Sequence, residues 1–136
     1  MATQKILILD DSRIVQLTIR NMLPIGNYNV LEASDGETGL AMIFKQHPSL
    51  IFLDWRLPKV SGWEIFQILK SEPELQKIPL IVMCVLKSEV TRNVPEPFDY
   101  FECLEKPFGK KQLMEAMQAA VDKAYQRWLH AHPTSP

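Results

Sequence analysis

The sequence predicts an α/β fold, a doubly wound parallel sheet of five strands, and two observations carry that expectation. Apolar strand-like runs alternate along the chain with segments whose apolar residues recur at helical spacing. Such alternation, with right-handed crossovers, builds a parallel sheet flanked by helices. Three of the runs also stop at ionisable residues: KILIL before Asp10 and Asp11, SLIFL before Asp54, and FECLE before Lys106. Ligand sites in open parallel sheets lie outside the carboxyl ends of the strands, so adjacent strands would gather these groups along one edge.

Each element has its own warrant. The first strand is expected over 5–10, where the apolar run has no helical period. A helix over 12–23 places Val15, Ile19, Met22 and Leu23 on one stripe and ends at Pro24 and Gly26. The second strand covers 28–33. Ser34 with Glu37 reads as a capping box opening a helix that Pro48 stops. The third strand covers 49–54, and Ser61 with Glu64 is a second capping box, for a helix over 61–71. The strand over 79–84 is solidly apolar, as expected of a strand buried on both faces. Pro95 and Pro97 restrict the next helix to about 87–94 or make it irregular. Glu102 and Glu105 in the fifth strand, 101–105, suit an edge position. The last helix starts near Gly109 and carries Leu113, Met117, Ala120, Val121, Ala124 and Trp128 at helical spacing. One domain over 1–128 is expected, followed by a disordered tail over 129–136. Tyr125, Trp128 and Leu129 lie far along the last helix, where they would serve a homodimer or partner contact or fold back on the core.

Composition narrows the function classes. The chain of 136 residues is long enough for one well-filled core, with 46% hydrophobic and 23% charged residues. A net charge of −1 provides no general attraction to nucleic acid or anionic lipid. Neither a signal peptide nor a membrane span is read from the sequence. Two cysteines, Cys84 and Cys103, without metal-ligand spacing fit a reducing cytoplasm.

Three carboxylates crowded together repel one another, and a hard divalent cation with oxygen ligands relieves that repulsion. Asp10, Asp11 and Asp54 therefore suggest an Mg²⁺ site, with Lys106 beside it. Taken singly, an aspartate at a strand end is most simply a turn residue or helix cap, and Asp11 with Ser12 would cap the first helix. Lys106 alone would be a solvated lysine on an edge strand, as Lys110 and Lys111 are expected to be. His47, His130 and His132 form no ligand pattern. It is the full set, in order and on three strand ends, that reads as a site.

Those residues resemble the receiver domain of two-component response regulators, most closely the stand-alone chemotaxis type. The resemblance spans residues 4–125: the acidic pair Asp10–Asp11, the aspartate Asp54, the Pro58 and Gly62 of the loop that follows it, and Lys106–Pro107. It implies the flavodoxin-like strand order 2-1-3-4-5. It also implies that Asp54 accepts a phosphoryl group from a histidine of a sensor kinase or phosphotransfer protein. Asp11 and Asp54 would ligate Mg²⁺, with Asp10 acting through water and Arg56 contributing its backbone carbonyl. Lys106 would neutralise a phosphoryl oxygen, and Pro107 would follow a cis peptide.

Two positions depart from that pattern. Cys84 stands where the family has a threonine or serine that bonds the phosphoryl group, and Val85 follows where a small residue is usual. Cys103 stands where the family has a tyrosine or phenylalanine that moves on activation. A thiol is a weak donor and cysteine has no ring. The link from phosphate to surface change is therefore in question. Cys84 and Cys103 on neighbouring strands also raise a redox link; as a bare sequence reading, two small buried hydrophobes is the simpler account.

The favoured function is a single-domain signalling receiver, not an enzyme acting on external substrates, with an unknown downstream protein as its output. The alternative is a protein-binding module whose output no longer follows phosphorylation. A phosphohydrolase would need a second aspartate in a DxD pattern, and Asp54-Trp55-Arg56 lacks it. A nucleotide or flavin site would need a glycine loop after the first strand, where Asp10–Arg13 has none. Trp55, beside Asp54, is an expected reporter of the site, with loop packing as the simpler role.

Overall fold

A computed structural model describes residues 3–133. Its elements are β1 (Gln4–Leu9), α1 (Arg13–Met22), β2 (Tyr28–Ala33), α2 (Gly36–Gln46), β3 (Leu50–Asp54), α3 (Gly62–Ser71), β4 (Leu80–Cys84), α4 (Lys87–Thr91), β5 (Glu102–Glu105) and α5 (Lys110–Ala131). The strands form one parallel sheet in the order β2-β1-β3-β4-β5. The expected doubly wound sheet and its order are both found.

Strand alternation divides the core into two layers. Leu7, Leu9, Ile51, Leu53, Val82 and Cys84 face one way, and α2, α3, α4 and the aromatic stretch Phe98–Phe101 cover them. Ile6, Ile8, Phe52, Ile81 and Met83 face the other way, beneath α1 and α5. β4 is buried at every position, in keeping with its place between β3 and β5. β5 is an edge strand, and its two glutamates remain partly or fully exposed. Among the described residues, no helix is long and apolar enough to cross a membrane.

Local signals explain the helix limits. Ser12 caps α1 by accepting from the Val15 N–H, and Ser61 caps α3 by accepting from the Glu64 N–H. The α2 cap falls one residue later than the sequence suggested. Asp35, not Ser34, accepts from the Thr38 N–H, while the Ser34 hydroxyl faces Gln16. An aspartate at this position caps as well as a serine and adds charge at the helix N-terminus. α4 is short, as its prolines require, ending before Pro95.

α5 departs furthest from expectation. It continues to Ala131, three residues past the boundary at 128, because no helix breaker occurs before Pro133. The expected tail is therefore helical over 129–131, and 134–136 lie outside the described residues. The buried stripe is Leu113, Ala116, Ala120 and Ala124, whereas Val121 and Trp128 are exposed. Small alanines let the helix lie close on the sheet, and the larger side chains rotate outward. Tyr125 and Trp128 stack at 6.2 Å on that outer side, and Trp128 stacks on His132 at 4.8 Å. Arg127 anchors the same stretch. Its guanidinium donates to the carbonyls of Gln76, Ile78 and Tyr100 and lies 3.8 Å from the centre of the Tyr100 ring.

Candidate functional site

The carboxyl ends of β1, β3 and β5 meet around the adjoining β4 end. Asp10 follows the last residue of β1 and is held there by its Ala33 partner: its N–H donates to the Ala33 carbonyl at 3.1 Å. Its side chain has no solvent exposure. One oxygen accepts from the Ser12 N–H at 2.9 Å, and the other lies 2.7 Å from the Lys106 ammonium. The amide of buried Gln16 donates to the Asp10 carbonyl at 2.7 Å, fixing the turn into α1. Asp11, the next residue, is exposed.

Asp54 closes β3 and is 6% exposed. One of its oxygens accepts from the Arg56 N–H at 3.3 Å, and the other lies 3.4 Å from Lys106. Lys106 is aimed by its own backbone, whose N–H donates to the Cys84 carbonyl at 2.7 Å. The Lys106–Pro107 peptide is cis, as is Glu96–Pro97. The loop after β3 is braced at both ends: the Gly62 N–H donates to the Trp55 carbonyl, and the Gly36 N–H donates to the Pro58 carbonyl. Gly62 is obligatory for close approach, because a Cβ there would lie 2.6 Å from the Asp54 carbonyl oxygen and 2.7 Å from the Trp55 Cα.

The electrostatics follow from this crowding. Burial, and then the charge of Asp10, push the Asp54 carboxyl up to about 6, with Lys106 acting against them. Burial alone would lower the Lys106 ammonium, but the Asp10 hydrogen bond and the two carboxylates raise it, so it stays charged. Each of Asp10, Asp11 and Asp54 offers one oxygen, all within 4.8 Å of one another. Three carboxylates against one ammonium leave two negative charges in excess. An all-oxygen donor set with that excess fits a hard divalent cation such as Mg²⁺.

Asp11, Asp54, Trp55, Arg56, Cys84, Val85, Glu89 and Lys106 line a cleft of about 260 Å³. With Asp10 behind them, Asp11, Asp54, Arg56, Cys84 and Lys106 therefore lie together at this end of the sheet. Cys84 sits at the cleft wall, 3% exposed, with its Sγ 3.6 Å from the Sγ of Cys103. The side chain of Arg56 turns outward to pair with Glu89. Trp55 is buried between the cleft and Trp63, Phe66 and Phe101, at centroid distances of 6.0–6.3 Å. A larger groove beside Arg127 is lined by two half-buried cations that are both committed, Arg127 to backbone carbonyls and Lys123 to the Phe101 carbonyl and Glu102.

Sequence reasoning missed two residues. Glu89 accepts from the Leu86 N–H at 3.1 Å, pairs with Arg56 and lines the cleft. Its position three residues after the helix N-cap, Leu86, was the available signal. Gln16 lies among apolar neighbours on α1 and gave no polar pattern of its own.

Comparison with known proteins agrees with this geometry. A family described as "Response regulator receiver domain" matches residues 6–118. A probable transcriptional regulator, ycf27 of Porphyridium aerugineum, is 31% identical over 127 residues, covering 91% of this chain and 52% of that protein. The chain spans about half the length of the first such relatives. PilG of Pseudomonas aeruginosa is 27% identical over 117 residues, covering 86% of this chain and 87% of that protein. Among solved structures, the chemotaxis response regulator CheY4 of Vibrio cholerae superposes with a TM-score of 0.73 at 22% identity, covering 88% of this chain and 99% of that one. The receiver domain of the sensor histidine kinase PA1611 of Pseudomonas aeruginosa, described with a magnesium ion coordinated in its active-site cleft, gives 0.76 at 24% identity, covering 89% and 99%.

Proposed function

The chain belongs to the response regulator receiver family, and from that premise we propose that Asp54 accepts a phosphoryl group and that the domain signals through protein contacts. The observation that carries the reading is Lys106, whose ammonium reaches both Asp10 and Asp54 at the mouth of one acidic cleft. The donor is a phosphohistidine of a sensor kinase or phosphotransfer protein, and the compartment is the cytoplasm.

An oxygen of the Asp54 carboxylate attacks phosphorus as the bond to the donor's imidazole nitrogen breaks, and the electron pair leaves with that nitrogen. The nucleophile is the ionised form, which predominates at neutral pH for a group near 6. The Arg56 N–H holds one carboxylate oxygen and leaves the other facing Lys106. Lys106 offsets charge that builds on a phosphoryl oxygen, the kind of electrostatic positioning that dominates phosphoryl transfer. Asp11 and Asp54, with Asp10 behind them and the main chain at Arg56, would hold Mg²⁺, which supplies positive charge opposite the phosphoryl oxygens.

The test is incubation with a small phosphodonor and Mg²⁺, followed by intact mass. Gain of one phosphoryl group by the native chain and none by Asp54→Asn supports the proposal. A second reading, a binding module whose output is independent of phosphate, is favoured by the thiols at Cys84 and Cys103 in place of a strong donor and a ring. Intact Mg²⁺ binding with no mass gain would select it.

A further inference from the structure

We propose that Cys84 and Cys103 are a modification site of their own, forming a reversible intramolecular disulfide beside the acidic cleft. In the register of β4 and β5, Cys103 pairs with Val82, so Cys84 and Cys103 project from the same face of the sheet, offset by two residues along the strands. Their sulfurs are already in contact at 3.6 Å. Closing to the covalent distance of about 2.05 Å requires a shift of roughly 1.5 Å. β5 can supply it, because an edge strand is bonded to the sheet on one side only.

The two thiols are unequal in a way that suits exchange. Cys103 is partly exposed, and its thiol is held below its ordinary value by the hydrogen-bond contact with Cys84, with Lys87 adding to the effect. Cys84 is buried, and its thiol is pushed above the ordinary value by the same contact and by burial. Cys103 is therefore the attacking thiolate and Cys84 the resolving thiol. The oxidant is a low-molecular-weight disulfide. The Cys103 thiolate attacks one of its sulfurs, forming a mixed disulfide and expelling a small thiolate. Cys84 loses its proton and attacks the Cys103 sulfur, expelling the second small thiolate. The pair gives up two protons and two electrons, and the oxidant becomes two small thiols. In a reducing compartment such a bridge is transient, as befits a sensor. Because Cys84 lines the cleft that contains Asp54 and Lys106, the bridge would pin the sheet edge to the wall of that cleft. It does not depend on phosphoryl transfer.

The test is a glutathione redox titration of the full chain, read by intact mass and by thiol alkylation after denaturation. The chain has only these two cysteines, so any intramolecular bridge is this one. The native monomer should lose the mass of two hydrogens and both alkylatable thiols, regain them with dithiothreitol, and bridge faster in native buffer than in denaturant. Cys84→Ser should stop at a stable glutathione adduct on Cys103. Two free thiols throughout, two glutathione adducts, only intermolecular dimers, or faster bridging in denaturant would each overturn the proposal. All four outcomes are read on the unaltered chain.

Discussion

The ammonium of Lys106 lies 2.7 Å from an oxygen of Asp10, a carboxylate with no exposure to solvent. Lys106 is the only cation within ion-pair distance of that carboxylate among the described residues. Removing one member of a buried pair strands the other as an uncompensated charge. Lys106→Met should therefore destabilise the metal-free domain by about 3 kcal/mol, measured as the shift in urea midpoint. Saturating Mg²⁺, or Asp10→Asn in the same chain, should recover most of that loss. An unchanged midpoint in Lys106→Met would show that Asp10 does not rely on the lysine.

Asp54 makes stability depend on pH in a direction opposite to that of an ordinary salt-bridged carboxylate. Its folded value of about 6 exceeds the unfolded value of about 3.9. The proton therefore favours the folded state. This group's contribution is whole below about pH 4 and drains away as pH rises through about 6. Mg²⁺ binds the carboxylate alone, so its stabilisation grows over the same window. The gap between urea midpoints with Mg²⁺ and with EDTA should be wider at about pH 7.5 than at about pH 5. An equal gap at both would exclude a titrating Asp54 from the ion site.

What the sequence made legible follows from what local pattern encodes. Asp10, Asp54 and Lys106 could be placed at one sheet edge because strand ends are visible as the last residue of an apolar run, and parallel topology does the rest. Which face of α5 is buried was not legible, because Val121 and Trp128 share helical spacing with Ala120 and Ala124. Periodicity does not reveal which of two adjoining stripes is narrow enough to lie on the sheet. The sequence raised a link between Cys84 and Cys103, but their contact depends on the register of β4 against β5, which no residue in either strand announces. The role of Arg127 was invisible for a related reason: its three carbonyl partners come from Gln76, Ile78 and Tyr100, far away in the chain.

That arginine carries a prediction about the last helix. Its guanidinium satisfies three carbonyls and covers the Tyr100 ring, so Arg127→Ala would leave those acceptors without their donor. Hydrogen bonds to charged groups contribute about 1.5–3 kcal/mol each, with strong overlap inside one cluster, and the expected loss is roughly 3 kcal/mol. Arg127→Lys should recover only part of it, because an ammonium lacks the planar fork and the stacking face. Chemical denaturation of the three chains checks the ranking. Equal stability of the lysine and arginine forms would mean that charge alone matters there.

Gly62 links the start of α3 to the residues of the acidic cleft. A Cβ at this position would press on the Asp54 carbonyl oxygen at 2.6 Å and the Trp55 Cα at 2.7 Å, both backbone atoms that cannot swing aside. Gly62→Ala must therefore displace the segment that carries the Asp54 carboxylate and the Arg56 N–H bonded to it. The expected cost is about 2 kcal/mol of stability, in the range for overpacking a filled site. Mg²⁺ affinity should fall with it, since the donors must stay within a fraction of an ångström of their working positions. Glu64→Ala, on an exposed position of the same helix, is the matched control and should leave affinity unchanged. Calorimetric titration of Mg²⁺ into both variants separates the effects. Wild-type affinity in Gly62→Ala would show that the loop absorbs the methyl group without moving the site.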